Sequence, residues 1–541
     1  MNPVLSTRNR RLVPRWRGLV ATLQSGELSH PARTTKNLRP TEPLSPDLLM
    51  YLERWRLSPS LVSAAELVEA SIVSGHEQQA VDAARRIVSV DRTAAPLIRQ
   101  QAARLLRRTG HEADIPADLE ADNLPIAIVR PRSRLHRGDA LAWVELALAQ
   151  TIAGADRAAA RSMLVALGLA PDNRHVLRSA ARLYLHQDDP ERAHATISRS
   201  AAAPSDPWLI ASEIALAQVV RRSSKLIKIG ESMLADSSWG PRQLTELAGA
   251  VGTQELISGN RKKSRRLFAQ SLTDPTGSAL AQGEWAASDL GGDIVSEARL
   301  SVTFENAEAT AFHLARLGRF AEVAPACFSW SKQDPFSVRP YEFGTATSGY
   351  IEDFETALQF AKEGLKLRPD SPSLLNGAAF AAASLDRVDE AAAALAKIST
   401  MIADPTQRLV LLANRGLIAY RRGNVTMGER LYREVIDGFR RAEQPHLAAR
   451  AKLYLAREAM IADAAGWRDL LKDASDGLKK SSDRESATSL ALIEKRAAAL
   501  QAERLPKPEP TELPTAVNPK MKVSVTFGRG TSTTLPTVKK C

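Results

Sequence analysis

Residues 304–405 read, in three consecutive blocks of 34, FENAEATAFHLARLGRFAEVAPACFSWSKQDPFS (304–337), VRPYEFGTATSGYIEDFETALQFAKEGLKLRPDS (338–371) and PSLLNGAAFAAASLDRVDEAAAALAKISTMIADP (372–405). Alanine and leucine dominate the apolar residues, which favours helix over strand. A fixed period of this length indicates a repeat architecture, because each copy forms the same small unit of secondary structure.

The punctuation of these blocks predicts two helices per unit. Position 20 follows a turn and carries a small or apolar residue in each block, namely Val323, Ala357 and Ala391. Position 32 is proline in the first two blocks, Pro335 and Pro369, where it cannot continue a preceding helix. The second helix of each block is therefore expected to lie between these two positions.

Four further blocks keep the same register. Block 140–173 carries Trp143, Leu146, Ala147, Gly154, Ala159, Leu167 and Pro171 at positions 4, 7, 8, 15, 20, 28 and 32. Block 174–207 follows directly, with Leu177, Ala181, Tyr184 and Ala193 at positions 4, 8, 11 and 20. Block 61–94 contributes Gly75 and Ala80, and block 409–442 contributes Gly416, Gly423, Tyr432 and Val435. Small residues permit a close helix crossing, and glycine near position 15 permits a tight turn.

These positions resemble the tetratricopeptide repeat, a helix–turn–helix unit of 34 residues. The resemblance covers residues 61–480 and is strongest in 140–207 and 304–442. It implies an all-α solenoid of tandem helix–turn–helix units, because a single hairpin cannot bury its apolar face and must stack on its neighbours. The stretches 95–128, 208–241, 245–278 and 443–480 each have room for one more degenerate hairpin.

Changes in phase and composition predict the domain organisation. The expected segments are a basic, partly disordered arm (1–45), an N-terminal sub-array (46–278), a phase-breaking connection (279–303), a C-terminal sub-array (304–482), a capping helix (483–503) and a disordered, proline-rich basic tail (504–541). Short helices are expected around Trp16–Leu23 in the arm and over Pro46–Arg56.

The net charge of +12 belongs to the two ends of the chain. Residues 1–40 carry eight Lys and Arg against one acid, and residues 504–541 carry seven against two. The intervening chain is neutral on balance. No apolar run reaches the roughly 20 residues that a membrane helix needs. Without a hydrophobic signal segment, and with only two cysteines, the chain is expected to be cytoplasmic, with an Arg-rich transit peptide as the alternative.

Motifs that carry catalysis, cofactors or metals do not appear in the sequence. There is no glycine-rich dinucleotide or phosphate loop, no Gly-x-Ser-x-Gly elbow and no paired-histidine zinc motif. Cys327 falls at a packing position, and no histidine nearby in sequence could activate it. The sequence therefore predicts a non-catalytic scaffold or adaptor with no cofactor and no metal. An enzyme with an unrecognised active site remains a second alternative.

The resemblance also implies where a protein or peptide would bind. In tetratricopeptide proteins the first helix of each repeat lines a concave groove. On this sequence the corresponding residues are Phe312, Arg316, Arg339, Tyr350, Asn376, Phe380, Tyr420 and Arg421. Arginine and aromatic residues are the types that anchor interfaces. In the N-terminal blocks the same face carries a basic patch (His175, Arg178, Arg182, His186) and an apolar stretch (Val144, Leu148, Ile152), which suits an apolar helix or an intramolecular cap.

A basic run offers an alternative partner, nucleic acid. Its members are Arg261, Lys262, Lys263, Arg265 and Arg266. Together with the cationic ends it could contact phosphates, and such binding would be salt-sensitive and weakly selective for sequence. On a helix, a run of this kind more often forms a solvated face.

Overall fold

The computed structural model describes residues 16, 46–74, 76–89, 96–116, 140–292, 294–303, 306–398, 404–479 and 484–504. The chain divides into two compact units, residues 1–493 and 494–541. Apart from Trp16 and Arg504, the arm at 1–45 and the tail at 504–541 lie outside the described residues. The expected helix over Trp16–Leu23 therefore stays a prediction.

The described part of the first unit is built from α-helices, with short 3₁₀ turns between some of them. The helices are α1 Pro46–Leu57, α2 Leu61–Ser74, α3 Val81–Ser89, α4 Pro96–Arg108, α5 Ala140–Ile152, α6 Asp156–Leu169, α7 Arg174–His186, α8 Pro190–Ser198, α9 Pro207–Val219, α10 Ile227–Ala235, α11 Pro241–Ile257, α12 Arg261–Ser271, α13 Gly277–Leu290, α14 Glu297–Val302, α15 Ala307–Leu317, α16 Val323–Gln333, α17 Arg339–Tyr350, α18 Phe354–Leu367, α19 Pro372–Ser384, α20 Val388–Ala396, α21 Pro405–Arg421, α22 Val425–Arg441, α23 Pro445–Ile461, α24 Trp467–Leu478 and α25 Arg484–Arg504. Helix α25 crosses into the second unit, whose described residues, 494–504, are helical.

The helices pack as hairpins in series, and this confirms the all-α repeat fold. From α5 onward, most odd-numbered helices pack against the even-numbered helix that follows, as α5 does with α6 and α17 with α18. Successive first helices also touch, as α17, α19, α21 and α23 do. The register agrees with the sequence, because α5 and α7 begin at residues 140 and 174, the first residues of their blocks.

Small residues sit where the two helices of a hairpin cross. In the α5–α6 hairpin, Ala147 and Ala159 occupy positions 8 and 20 of block 140–173, and both are fully buried, as expected. Glycine fills both positions in the α21–α22 hairpin. A Cβ added to Gly428 would lie 2.4 Å from the Tyr420 ring and 3.0 Å from the Gly416 carbonyl oxygen. This crossing therefore requires glycine.

The turn between the two helices has one recurring conformation at position 15. Gly154, Gly318 and Gly423 have φ of 71°, 80° and 80°. In other blocks the same position holds Asp188, Glu352 or Asp386, with φ of 59°, 58° and 60°. The left-handed turn is thus a property of the hairpin, and it forms even where the sequence offers no glycine.

Residues 279–303 contain most of α13, the Gly291-Gly292 pair and the short helix α14. Helix α13 contacts α11 before it and α15 after it, so helix packing continues through this stretch. The division into two sub-arrays at 279–303 stays a prediction. Within the described ranges, no helix is both long and apolar enough to cross a bilayer.

Candidate partner-binding groove

Polar side chains link the first helices of the N-terminal hairpins. The Nε of Arg174 in α7 donates to Asp206 at 2.6 Å, and both side chains are only 1% exposed. The Nη2 of Arg178 donates to Glu246 of α11 at 2.7 Å. Arg178 also lies over the ring of Trp208 in α9, 4.8 Å from its centroid. The predicted basic patch of this block is therefore largely buried and neutralised.

The inner face of α7 is also covered by chain from far away in sequence. Phe336, in the segment before α17, is buried in one apolar cluster with Val144, Leu148 and Trp16. Arg182 lies 4.8 Å over the Phe336 ring and 3.6 Å from Asp334. The ring of Trp16, the described residue of the N-terminal arm, meets Phe336 edge-on at 5.7 Å. The N-terminal inner face is thus filled by the chain itself.

Ion pairs engage all three of the predicted groove arginines, and also His313 beside one of them. Arg316 donates to Glu284 of α13 at 2.7 Å, and His313 lies 2.6 Å from the other oxygen of that carboxylate. Arg339 pairs with Glu308 of α15. Arg421 donates to Glu458 of α23 at 2.8 Å. Each of these guanidinium groups joins neighbouring hairpins, and its contact with a partner stays a prediction.

The predicted groove aromatics divide into two groups. Phe312 packs between hairpins, 4.7 Å from the Phe343 ring. Tyr420 packs against Tyr432 in its own hairpin, and burial raises the pKa of its hydroxyl to about 12. Tyr350 and Phe380 instead line one cavity together with Asn376. The structure therefore brings three of the eight predicted residues to a common site.

This cavity, which we call the groove cavity, has a volume of about 120 Å³. It lies among α17, α19, α21, α22 and α23. Its walls include Tyr350 and Phe380, the helix backbone at Gly349 and Gly377, and the aromatic ring of Tyr454. Its polar lining residues are Glu342, Thr345, Ser373, Asn376, Asn414 and Arg450.

Two asparagines give the groove cavity both a donor and an acceptor. The Nδ2 of Asn414 donates to the Oδ1 of Asn376 at 2.7 Å and to its backbone oxygen at 3.2 Å. The described residues supply no hydrogen-bond partner for the Nδ2 of Asn376 or the Oδ1 of Asn414. These two atoms can therefore bind the backbone of one residue in an extended peptide, because that residue carries one N–H donor and one C=O acceptor on the same side.

Glu342 is the acid of the groove cavity. It accepts a hydrogen bond from Ser371 at 3.3 Å. Burial raises the pKa of its carboxyl, and the Ser371 hydroxyl with Arg339 and Arg368 partly opposes this shift. Ser371, Arg339 and Arg368 lie near this carboxyl, so any negative charge on Glu342 is partly balanced by groups outside the cavity.

A buried arginine fixes the aromatic wall. Arg457 of α23 is 1% exposed and lies between 5.3 and 5.4 Å from the ring centroids of Phe354, Phe380 and Tyr454. Its Nη2 donates to the Ser384 hydroxyl at 3.0 Å, and its Nε donates to Glu458 at 2.7 Å. Arg457 thus contacts the rings of Phe380 and Tyr454, both of which line the groove cavity.

Sequence reasoning did not predict Glu342, Asn414, Arg450 or Tyr454 as groove residues. Arg450 and Tyr454 belong to a degenerate hairpin in which the repeat register was not resolved. Their i, i+4 spacing on α23 was the available signal, because it places both on one face of the helix.

The basic run at 261–266 largely serves the fold. Arg261 and Arg265 of α12 donate to the backbone oxygens of Asp289 and Leu290, at the end of α13. Lys263 bridges Glu231 and Glu255 at 2.7 and 2.8 Å. Lys262 and Arg266 remain exposed. Phosphate contact by this run stays a prediction.

The described residues give little support for a reactive cysteine or a metal site. Burial raises the pKa of Cys327, so its thiol stays protonated. In the part of the chain that the structure describes, no group of three or more His, Cys, Asp and Glu is placed to hold a metal ion.

No family model matches the chain, and no curated protein sequence matches it. Among solved structures it is similar to a chain of the APC/C hetero-tetramer Cut9-Hcn1, with 13% identity, a TM-score of 0.31 and coverage of 82% of this chain and 92% of that one. It is also similar to yeast Tom70, with 11% identity, a TM-score of 0.29 and coverage of 82% of this chain and 97% of that one. A third similar structure is the human IFIT1 dimer with PPP-AAAA, with 13% identity, a TM-score of 0.37 and coverage of 70% of this chain and 94% of that one. Likenesses this remote carry no argument about partner or activity, and the fold rests on the packing of this chain's own helices.

Proposed function

We propose that this chain is a non-catalytic scaffold that binds a protein or peptide partner in the groove cavity. The observation that carries the proposal is the combination of an apolar-walled cavity with two amide atoms, the Nδ2 of Asn376 and the Oδ1 of Asn414, that have no hydrogen-bond partner among the described residues. A buried polar atom without a partner is costly, and these two atoms lie in the wall of an open cavity instead. The backbone N–H and C=O of one residue in a bound extended peptide would satisfy both of them.

The size of the cavity suggests what the partner inserts. An engineered cavity of about 150 Å³ in another protein accepts benzene. The groove cavity therefore suits one apolar side chain of about the size of leucine or phenylalanine, while the asparagine pair binds the adjacent backbone. Specificity would come from the anchor side chain, and orientation from the amides.

Filling the cavity tests the proposal. In Ala413→Phe, a ring would occupy the space that the anchor needs, because Ala413 lines the cavity. The matched control is Arg415→Phe, which adds the same ring at an exposed position of the same helix. Tagged full-length chains are recovered from native cells, and the associated proteins are quantified by mass spectrometry.

We expect Ala413→Phe to lose a defined set of proteins that both the unaltered chain and Arg415→Phe retain. The Asn376→Ala, Asn414→Ala double variant should lose the same set. Recovery of an identical set by all four chains would refute the groove cavity as the binding site.

A further inference from the structure

The first half of α25, residues 484–493, docks beside the groove cavity. The Nε of Arg450 donates to the Ser486 hydroxyl at 2.8 Å, and its Nη2 donates to Glu485 at 3.0 Å. The Ser489 hydroxyl donates to the backbone oxygen of Tyr350 at 3.0 Å. Since Arg450 and Tyr350 both line the cavity, this helix is attached to the cavity's own residues.

Residues 484–493 contact first helices of hairpins that precede the last one. Tyr350 ends α17, and Arg484 also donates to the backbone oxygen of Arg316 in α15. A helix that merely capped the last hairpin would need contacts only with α23 and α24. Residues 484–493 instead lie against the face on which the partner site is proposed.

The docked face of this helix is held largely by polar contacts. Its buried residues are Ser486, Ser489, Leu490 and Ile493, at a spacing that forms one stripe along a helix. Only two of these four are large and apolar. The stripe therefore contributes little apolar burial, and hydrogen bonds to Arg450 and Tyr350 supply much of the specificity.

We propose that residues 484–493 occupy the position of a partner helix, and that the partner presents an acidic residue followed by a hydroxyl residue to Arg450 in their place. This inference rests on the proposed function, because it names the chemistry of the partner at the same site. A guanidinium binds carboxylate and hydroxyl oxygens through directed donors. The partner's apolar anchor then enters the groove cavity beside Arg450.

Competition follows from the connection in the chain. Residues 484–493 belong to the same chain as the site, and covalent connection gives a tethered helix an effective concentration of about millimolar. A helix added from outside must displace the resident one, so the unaltered chain should bind it weakly. Weakening the resident contacts should strengthen the binding of the added helix.

A fluorescent peptide of residues 484–504 tests this by anisotropy titration against full-length chains. Against a chain carrying Glu485→Gln, Ser486→Ala and Ser489→Ala, we expect the peptide to bind at least tenfold tighter than against the unaltered chain. Adding Arg450→Met to that chain should reverse the gain, and Arg450→Lys should recover part of it. A peptide carrying the same three substitutions should bind at least tenfold more weakly than the natural peptide.

Two results would overturn the inference. One is equal affinity of the natural peptide for the unaltered and the triply substituted chains. The other is binding that is insensitive to both Arg450 variants, with circular dichroism showing that these chains are folded. Failure of the peptide while Ala413→Phe still loses its proteins would reject this inference and leave the proposed function intact. The opposite pattern would reject the groove cavity as the partner site.

Discussion

The inner faces of α7 and of α17–α23 both carry polar side chains, but these side chains make different contacts. In α7, Arg174 and Arg178 are buried against Asp206 and Glu246, and Phe336 with Trp16 covers what is left. Along α17–α23, the Nδ2 of Asn376 and the Oδ1 of Asn414 have no hydrogen-bond partner among the residues that the structure describes, and a cavity of about 120 Å³ stays open. Polar residues on a first helix can thus join the array together or be available to a partner.

The difference lies in what faces each side chain. A buried guanidinium must find a carboxylate, because an unpaired buried charge is very costly. An amide at the edge of a cavity has no such requirement, since water can satisfy it. We therefore expect the N-terminal face to be sensitive to substitution for reasons of stability, and the C-terminal face mainly for reasons of binding.

The largest effect should come from Arg178→Met, which removes the guanidinium that donates to the buried carboxylate of Glu246. Breaking a buried pair in this way costs about 3–5 kcal/mol. Asn414→Leu, at the corresponding face of the other region, should cost only about 1 kcal/mol, because it removes partly buried hydrogen bonds between neutral amides and leaves no buried charge. Native-state hydrogen exchange of amides in α7 and α21 measures the two losses. Similar values would abolish the contrast between the regions.

The next effect concerns the closest helix crossing of the C-terminal array. Gly428→Ala places a Cβ against the Tyr420 ring and the Gly416 backbone, and overpacking of this kind costs about 1–3 kcal/mol. The matched control is Gly168→Ala in α6, where nothing lies within 4 Å of the new Cβ. Helix propensity alone predicts a gain of up to about 1 kcal/mol there. Urea denaturation followed by circular dichroism compares the two.

A pH dependence distinguishes the groove cavity further. Because burial raises the pKa of Glu342, the folded chain binds this proton more tightly than the unfolded chain does. Its contribution to stability therefore falls as pH rises from the unfolded pKa through the folded pKa. Glu342→Gln should be more stable than the unaltered chain at pH 7, and the advantage should shrink as pH falls towards about 4.3. An advantage that is independent of pH would contradict this assignment.

The smallest expected effect is one that the two regions share. Arg221 and Glu443 have φ of 56° and 54° in turns of the N-terminal and C-terminal halves. Replacing either with glycine relieves a left-handed backbone at the expense of a more flexible unfolded chain, with a net gain of about 0.5–1 kcal/mol. Thermal unfolding should show similar gains at both sites. A gain in one half alone would mean that the turns are not equivalent.

The repeat register was predictable to within a few residues. Helices α5 and α7 begin where blocks 140 and 174 begin, and α1 forms over the whole of the expected Pro46–Arg56 stretch. These features depend on residues close together in sequence. Of the groove residues, Tyr350, Asn376 and Phe380 share a cavity, whereas Phe312 packs between two hairpins and Tyr420 packs within its own hairpin. One position in the register does not fix which neighbour a side chain meets.

The sequence by itself determined the hairpins, because proline, glycine and small residues act within one or two turns of helix. Only the tertiary structure decided which faces are closed. Phe336 reaches α7 across about 150 residues, and Ser489 reaches Tyr350 across 139. Such contacts depend on the sum of the small rotations between successive hairpins, and a local sequence pattern does not encode that sum. The open cavity between α17 and α23 is what those rotations leave uncovered.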